Sequence, residues 1–233
     1  MKKTLLLLVL LLTSVASQSQ RIHAYLGAGA ITSQIEGDEL KGFKHWSGTG
    51  SVGALAYLNR DGSFSMTMEA GYSCRGVLNN SHSSQNPYNI TLDLHYIDIP
   101  ITFFYRDPYG GIRIGAGISY SRLLAQPHGE IKYNPNYFVP DSSNMEFLKN
   151  DLAAAIEARF PIWKGLQFCA RFQYSVLPVK RSWQFTEIFG QSESRTWNNN
   201  CYNSSLSFRL IWQFGDERFH KKRNPNSNPK RRR

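Results

Sequence analysis

The chain has 233 residues and a formal net charge of +10, from 27 Lys and Arg against 17 Asp and Glu. Its mean hydropathy of −0.40 excludes a bundle of membrane-spanning helices, and no apolar run after Leu12 approaches the roughly 20 residues such a helix needs. The charge is concentrated at one end. Gly215–Arg233 holds eight basic residues against Asp216 and Glu217, and once Lys2 and Lys3 are also set aside only +2 remains on the body of the chain.

Residues 1–19 read as a signal peptide. Lys2 and Lys3 precede the apolar run Leu5–Leu12, and small residues follow, with cleavage expected near Ala16, Ser17 or Ser19. No cysteine lies near that point, which argues against a lipid anchor.

From there the chain alternates. Phe64, Met66, Met68, Ala70 and Tyr72 carry one face, with Ser65, Thr67, Glu69, Ser73 and Arg75 on the other. The beat returns in Ile112–Ser121 and in Leu166–Ser175. Eight strands are expected at about 22–33, 46–58, 63–76, 90–105, 111–124, 148–161, 165–177 and 201–214. Segments longer than ten residues with this period, behind an export signal, predict an all-β fold: an eight-stranded antiparallel up-and-down transmembrane β-barrel over residues 20–214.

The connections alternate in length. Asn59–Gly62, Asp107–Gly110 and Ile162–Lys164 are tight turns, whereas 34–45, 77–89, 125–147 and 178–200 are long and polar. Outer-membrane barrels have short periplasmic turns and long outward loops. The tight turns, both termini and the tail are therefore expected in the periplasm.

Aromatic residues bunch beside the tight turns: Tyr57, Phe64, Tyr105, Tyr109, Phe160, Trp163, Phe168, Trp212 and Phe214. They predict a girdle at the membrane interface. In the strand at 90–105 the apolar parity changes, from Leu92, Leu94 and Tyr96 to Ile97, Ile99, Ile101 and Phe103. A bulge near Asp98–Pro100 would reset the phase there.

An eight-stranded barrel is just wide enough to be filled by side chains. The inward candidates are Glu69, Arg75, Asp93, His95, Arg113, Lys149, Asp151, Glu157, Arg159, Arg171 and Arg209. Both signs are present, as burial of charge requires. A Ser-His-Asp set can be drawn from His95, Asp93 and Ser119 or Ser121, but no nucleophile motif surrounds either serine. His23, His45, His82, His128 and His220 show no metal-ligand spacing. Cys74, Cys169 and Cys201 form no close-spaced motif, with Cys74 outward and Cys169 inward by parity. The outer connections carry Tyr133, Tyr137, Phe138, Trp183, Phe185 and Trp197, residue types that anchor partners or pack loops. The tail, with Arg218, Lys221, Lys222, Arg223, Lys230, Arg231, Arg232 and Arg233, has a disordered composition. Its charge suits an anionic surface.

The stretch Leu94-His95-Tyr96-Ile97-Asp98-Ile99-Pro100-Ile101 resembles the "L-x-Y-[IL]-[ED]-I-P-L" signature of the PorT-like outer-membrane β-barrel family of Bacteroidota. Gly111–Gly117 is similar to that family's next, glycine-rich strand. The resemblance implies an eight-stranded outer-membrane barrel without shared catalytic residues. The chain departs from the family habit of ending at the last strand's aromatic residue, because nineteen residues follow Phe214.

The expected function is therefore that of a non-enzymatic outer-membrane barrel with a filled lumen, a structural or partner-binding part of the envelope. It sits in outer-membrane lipid, needs no cofactor or metal, and does not meet nucleic acid. Its partners would be an envelope protein or glycan at the long loops and an anionic periplasmic surface at the tail. Two alternatives stay open: a barrel subunit of type IX secretion or gliding that uses its basic tail, and a soluble lipocalin-like carrier whose apolar face points inward.

Overall fold

The computed structural model describes residues 22–37, 42–59, 61–80, 89–126, 129–132, 139–140, 146–189 and 193–215. The expected signal peptide and the basic residues from Arg218 to Arg233 lie outside them. So do His82, His128, His220, Tyr133, Tyr137 and Phe138.

Eight strands form the wall: β1 (Ile22–Glu36), β2 (His45–Tyr57), β3 (Phe64–Asn80), β4 (Asn89–Arg106), β5 (Arg113–Leu123), β8 (Asn150–Trp163), β9 (Leu166–Ser175) and β11 (Glu193–Gln213). Three further strands, β6 (Gly129–Lys132), β7 (Val139–Pro140) and β10 (Lys180–Phe189), belong to the outer connections. Each wall strand pairs antiparallel with the next, and β11 closes on β1 from Tyr25↔Gln213 to Glu36↔Tyr202. Closure leaves the wall without an edge. No helix of the described residues is long and apolar enough to cross a membrane; the crossing belongs to the strands.

The tight turns form where their residues allow reversal. Gly62 and Gly111 take φ of 72° and 74°, the left-handed region in which only glycine carries no steric cost. Their N–H groups donate to Asn59 O (3.4 Å) and Asp107 O (3.0 Å). The third turn uses Lys164 at φ 45°.

Outward residues between the two ends are apolar. Leu26, Val52, Met68, Phe103, Ile114, Ile118, Ile156 and Leu210 each leave more than half of their surface uncovered by the chain itself. Charged groups fill the inside. The lipocalin-like arrangement is thereby overturned, since it needs the opposite parity.

Strand β4 corrects the expected bulge. Its register with β3 runs evenly from Phe64↔Tyr105 to Asn80↔Asn89, and with β5 from Tyr96↔Leu123 to Arg106↔Arg113. Leu92, Leu94, Tyr96, Asp98, Pro100, Thr102 and Phe104 are all buried on the inner face. The phase never resets; the environment does. In the upper part of the strand the inside is apolar and the outside polar. Lower down, the outside is apolar and the inside polar. That exchange marks passage from water into lipid.

The described parts of the long connections include strands. β3 and β4 continue as a ribbon to Asn80 and Asn89, β6 pairs with β4, and β10 and β11 form a hairpin from Lys180↔Cys201 to Phe189↔Glu193. Beneath these ribbons an apolar cluster of Ile35, Val77, Leu92, Leu94, Tyr96, Leu123, Phe147, Val179, Trp183 and Cys201 closes the barrel mouth.

Candidate functional site

The lumen holds the densest chemistry in the molecule. Glu69 on β3 and Glu157 on β8 are surrounded by Arg159 of β8, Arg171 of β9 and Arg209 of β11, all nearly wholly buried. Arg159 reaches Glu157 at 2.5 Å and Glu69 at 2.9 Å, and Arg171 reaches Glu69 at 2.7 Å and also Glu157. Arg209 lies 2.8 Å from Glu69 and 3.5 Å from Glu157. Tyr25 donates its hydroxyl proton to Glu69 (2.8 Å), and the Arg159 guanidinium lies 4.7 Å from the ring centres of both Tyr25 and Phe104. Three guanidiniums on two carboxylates carry a net positive charge.

A second cluster lies toward the mouth and carries the opposite excess. Arg75 donates to Asp98 (2.7 Å) and Asp151 (3.3 Å) and stacks 5.1 Å from the centre of Tyr96. Ser73 donates to the other oxygen of Asp98 (2.6 Å), and Asn203 donates to Asp151 (3.3 Å) and to Tyr96 (3.2 Å). Toward the tight-turn end, Arg113 donates to Gln167 and Tyr57, each at 2.9 Å. Between the first two clusters lies a cavity of about 20 Å³ lined by Glu69, Asp98, Arg171 and Arg209 among others, room for about one water. The opposite net charges of the first two clusters, stacked along one axis, offset each other, the arrangement that makes buried charge tolerable, and Arg113 adds one positive charge below them.

The inward set thus includes Glu69, Arg75, Arg113, Asp151, Glu157, Arg159, Arg171 and Arg209. Asp93, His95 and Lys149 do not belong to it. On β4 the odd residues face outward, so His95 is exposed and bonds Tyr72 (2.7 Å), and Asp93 is half-exposed; Lys149 is exposed beside the start of β8. The Ser-His-Asp set that could be drawn from the sequence, and was not favoured there, is also not assembled: Ser119 and Ser121 point inward and are wholly buried, on the opposite side of the wall.

A model of the "Outer membrane protein beta-barrel domain" matches residues 4–214. The chain belongs to this outer-membrane β-barrel family. It is similar in fold to the Yersinia pestis attachment invasion locus protein Ail, solved with the heparin analogue sucrose octasulfate. The identity is 14% and the TM-score 0.42, over 83% of this chain and 99% of that one. It is also similar to Neisserial surface protein A (10% identity, TM-score 0.43, 82% and 97% covered). A third likeness is to a major outer membrane protein of Thermus thermophilus (9%, 0.44, 84% and 100%). No curated protein matches the sequence.

For an outer-membrane barrel the placement of aromatics matters. Phe64, Tyr105, Tyr109, Phe160, Trp163, Trp212 and Phe214 are exposed at the tight-turn end, and Phe168 is half-buried there between Phe160 and Phe208. Tyr57 departs from the expectation. It lies on the inward parity of β2, 4% exposed, edge-on to His23. A second outward ring was not foreseen: Trp46, Tyr72, Tyr120, Tyr174 and Tyr202 circle the long-connection end, with Tyr174 and Tyr202 stacked. Their shared outward parity, far from the tight turns, was the available signal.

The cysteines carry no disulfide, and all three are buried. Cys169 and Cys201 face the inside. Cys74 has the outward parity of β3, yet it is covered, with Asp93 and His45 beside it. Sequence spacing missed His45 in this role, because its neighbours come from other strands.

Proposed function

We propose that this protein is a non-enzymatic, non-conducting envelope component that uses its barrel as a membrane stem and its outer ribbons to hold a partner. The observation that carries the reading is the edge of β10 away from β11. Its inner side pairs along β11, while among the described residues its other side carries only Phe185↔Pro140 and Thr186↔Val139. Unpaired strand edges take up an added strand, with main-chain bonds giving affinity and side-chain pockets giving choice. An envelope protein with an extended segment is the partner of first choice, and a glycan held by the neighbouring polar residues is the second.

In this reading the tight turns face the periplasm, and the two aromatic rings mark the membrane interfaces. Residues 1–19 export the chain, and the tail after Gly215 meets anionic periplasmic surfaces. The PorT-like branch is supported by Leu94, Tyr96, Asp98 and Pro100. These signature residues are the inward ones, and Tyr96 and Asp98 both meet Arg75.

The test is to delete residues 182–199 and join the ends with two glycines. The shortened barrel should remain in the outer-membrane fraction and migrate faster on a gel when unheated, yet lose its cross-linked surface partners. If the same partners remain attached, the ribbon is not the binding element.

A further inference from the structure

We propose that His45, Cys74 and Asp93 form a binding site for one divalent transition-metal ion, zinc by its chemistry, near the outer end of the barrel. They come from three successive strands, β2, β3 and β4, and their ligand atoms all lie within 4.8 Å of one another. Imidazole nitrogen, thiolate sulfur and carboxylate oxygen are the donors zinc takes, at about 2.0–2.3 Å from the metal. The sulfur excludes calcium and magnesium, which require oxygen ligands.

The local fold builds this meeting. The β2–β3 ladder ends at Thr49↔Ser73. Beyond it Ser47 donates to Cys74 O (2.6 Å), and His45 reaches the strand after next, placing Nε2 2.6 Å from Asp93 Oδ1. Cys74 Sγ lies 3.9 Å from the same oxygen. Donors around a tetrahedral zinc stand about 3.3–3.5 Å apart, a spacing that follows from the metal–ligand distances, and the two Asp93 contacts bracket that value.

Ser33 supplies the second observation. Its hydroxyl donates to Gly76 O (3.3 Å) and accepts from Gly76 N–H (2.8 Å). The same oxygen lies 3.3 Å from His45 Nδ1, a contact that holds the ring with Nε2 turned toward Asp93. A serine that fixes the ring orientation is the kind of outer partner that metal-binding histidines have.

The site is also reachable. The Asp93 side chain is 43% exposed, and the climb from Phe64 to Cys74 along a strand tilted by about 40° is about 25 Å, the height of a barrel's apolar band. The ion would therefore sit at the outer interface, in contact with water. Tyr72 holds His95, which faces Cys74 in the ladder, by a hydrogen bond and a stacked ring. The fourth position is thus left to water. Binding releases the thiol proton of Cys74.

The experiment uses the full mature chain, folded in detergent and without a histidine tag, freed of metal by chelator and titrated with cobalt(II). One equivalent should give a thiolate-to-cobalt charge-transfer band that zinc(II) abolishes, and zinc should protect Cys74 from maleimide. Cys74→Ser should remove the band. His45→Gln and Asp93→Asn should each weaken zinc binding at least about tenfold, and Ser33→Ala by about ten- to a hundredfold. Heat-modifiable migration on a gel identifies the folded variants. A folded wild-type barrel with no cobalt band overturns the proposal, and so does a band that survives Cys74→Ser.

Discussion

Arg159 Nη2 lies 2.9 Å from Glu69 Oε1 and so joins β8 to β3 across the lumen, with β4 and β5 between them in the wall. The same Glu69 accepts from Tyr25, Arg171 and Arg209, so one carboxylate ties its own strand to four others. Replacing it by Gln leaves three buried guanidiniums around Glu157 alone. Breaking a buried pair by removing one partner costs about 3–5 kcal/mol. Glu69→Gln should therefore lower the urea midpoint of the refolded barrel by that order, whereas Glu146→Gln, at an exposed position, should leave it unchanged.

The second cluster gives a compensation test. Arg75→Met strands Asp98 and Asp151 in the interior, and a loss of about 3–5 kcal/mol is expected. Adding Asp98→Asn and Asp151→Asn to Arg75→Met removes the uncompensated charge and should restore most of that loss. Unfolding curves of the single and triple variants, read by migration on a gel, decide between charge balance and simple packing.

The wall was legible because lipid outside and polar side chains inside write a period of two into β3, β5 and β9, and the turn residues of Asn59–Gly62 and Asp107–Gly110 announce the reversals. β4 was harder. Leu92 and Leu94 pack an apolar cap at the mouth while Ile99 and Ile101 face the membrane side, so the apolar set changes parity where the surroundings change and the backbone does not. Counting parity from one apolar run placed Asp93 and His95 on the wrong face. Tyr57 was grouped with the girdle by its nearness to a turn, although its parity with Leu55 points it inward. The His45–Cys74–Asp93 meeting depends on β2 leaving the β3 ladder, a tertiary event without a local signal.

The plugged interior has an electrical consequence. A lumen filled in the middle by the charged clusters and capped at the mouth, as proposed, does not conduct, and wild-type protein inserted in a planar bilayer should give no resolved single-channel steps. Regular ohmic steps from a homogeneous preparation would mean that the cap or the clusters move aside.

The membrane frame itself is testable at two positions. Met68 lies midway between Phe64 and Tyr72 of the two aromatic rings, on the outward face of β3, and pairs with Ile101. Thr91 is outward on β4 beyond the upper ring, where the exposed residues are polar. An arginine facing lipid at the midplane costs about 2–4 kcal/mol, and one near the interface about 0–1 kcal/mol. Met68→Arg should therefore destabilise the folded barrel in lipid vesicles by the larger amount and Thr91→Arg by the smaller. In detergent, which hydrates more readily around an inserted charge, the gap should narrow. Equal losses at the two sites would move the apolar band and remove the physical reason given for the parity change along β4.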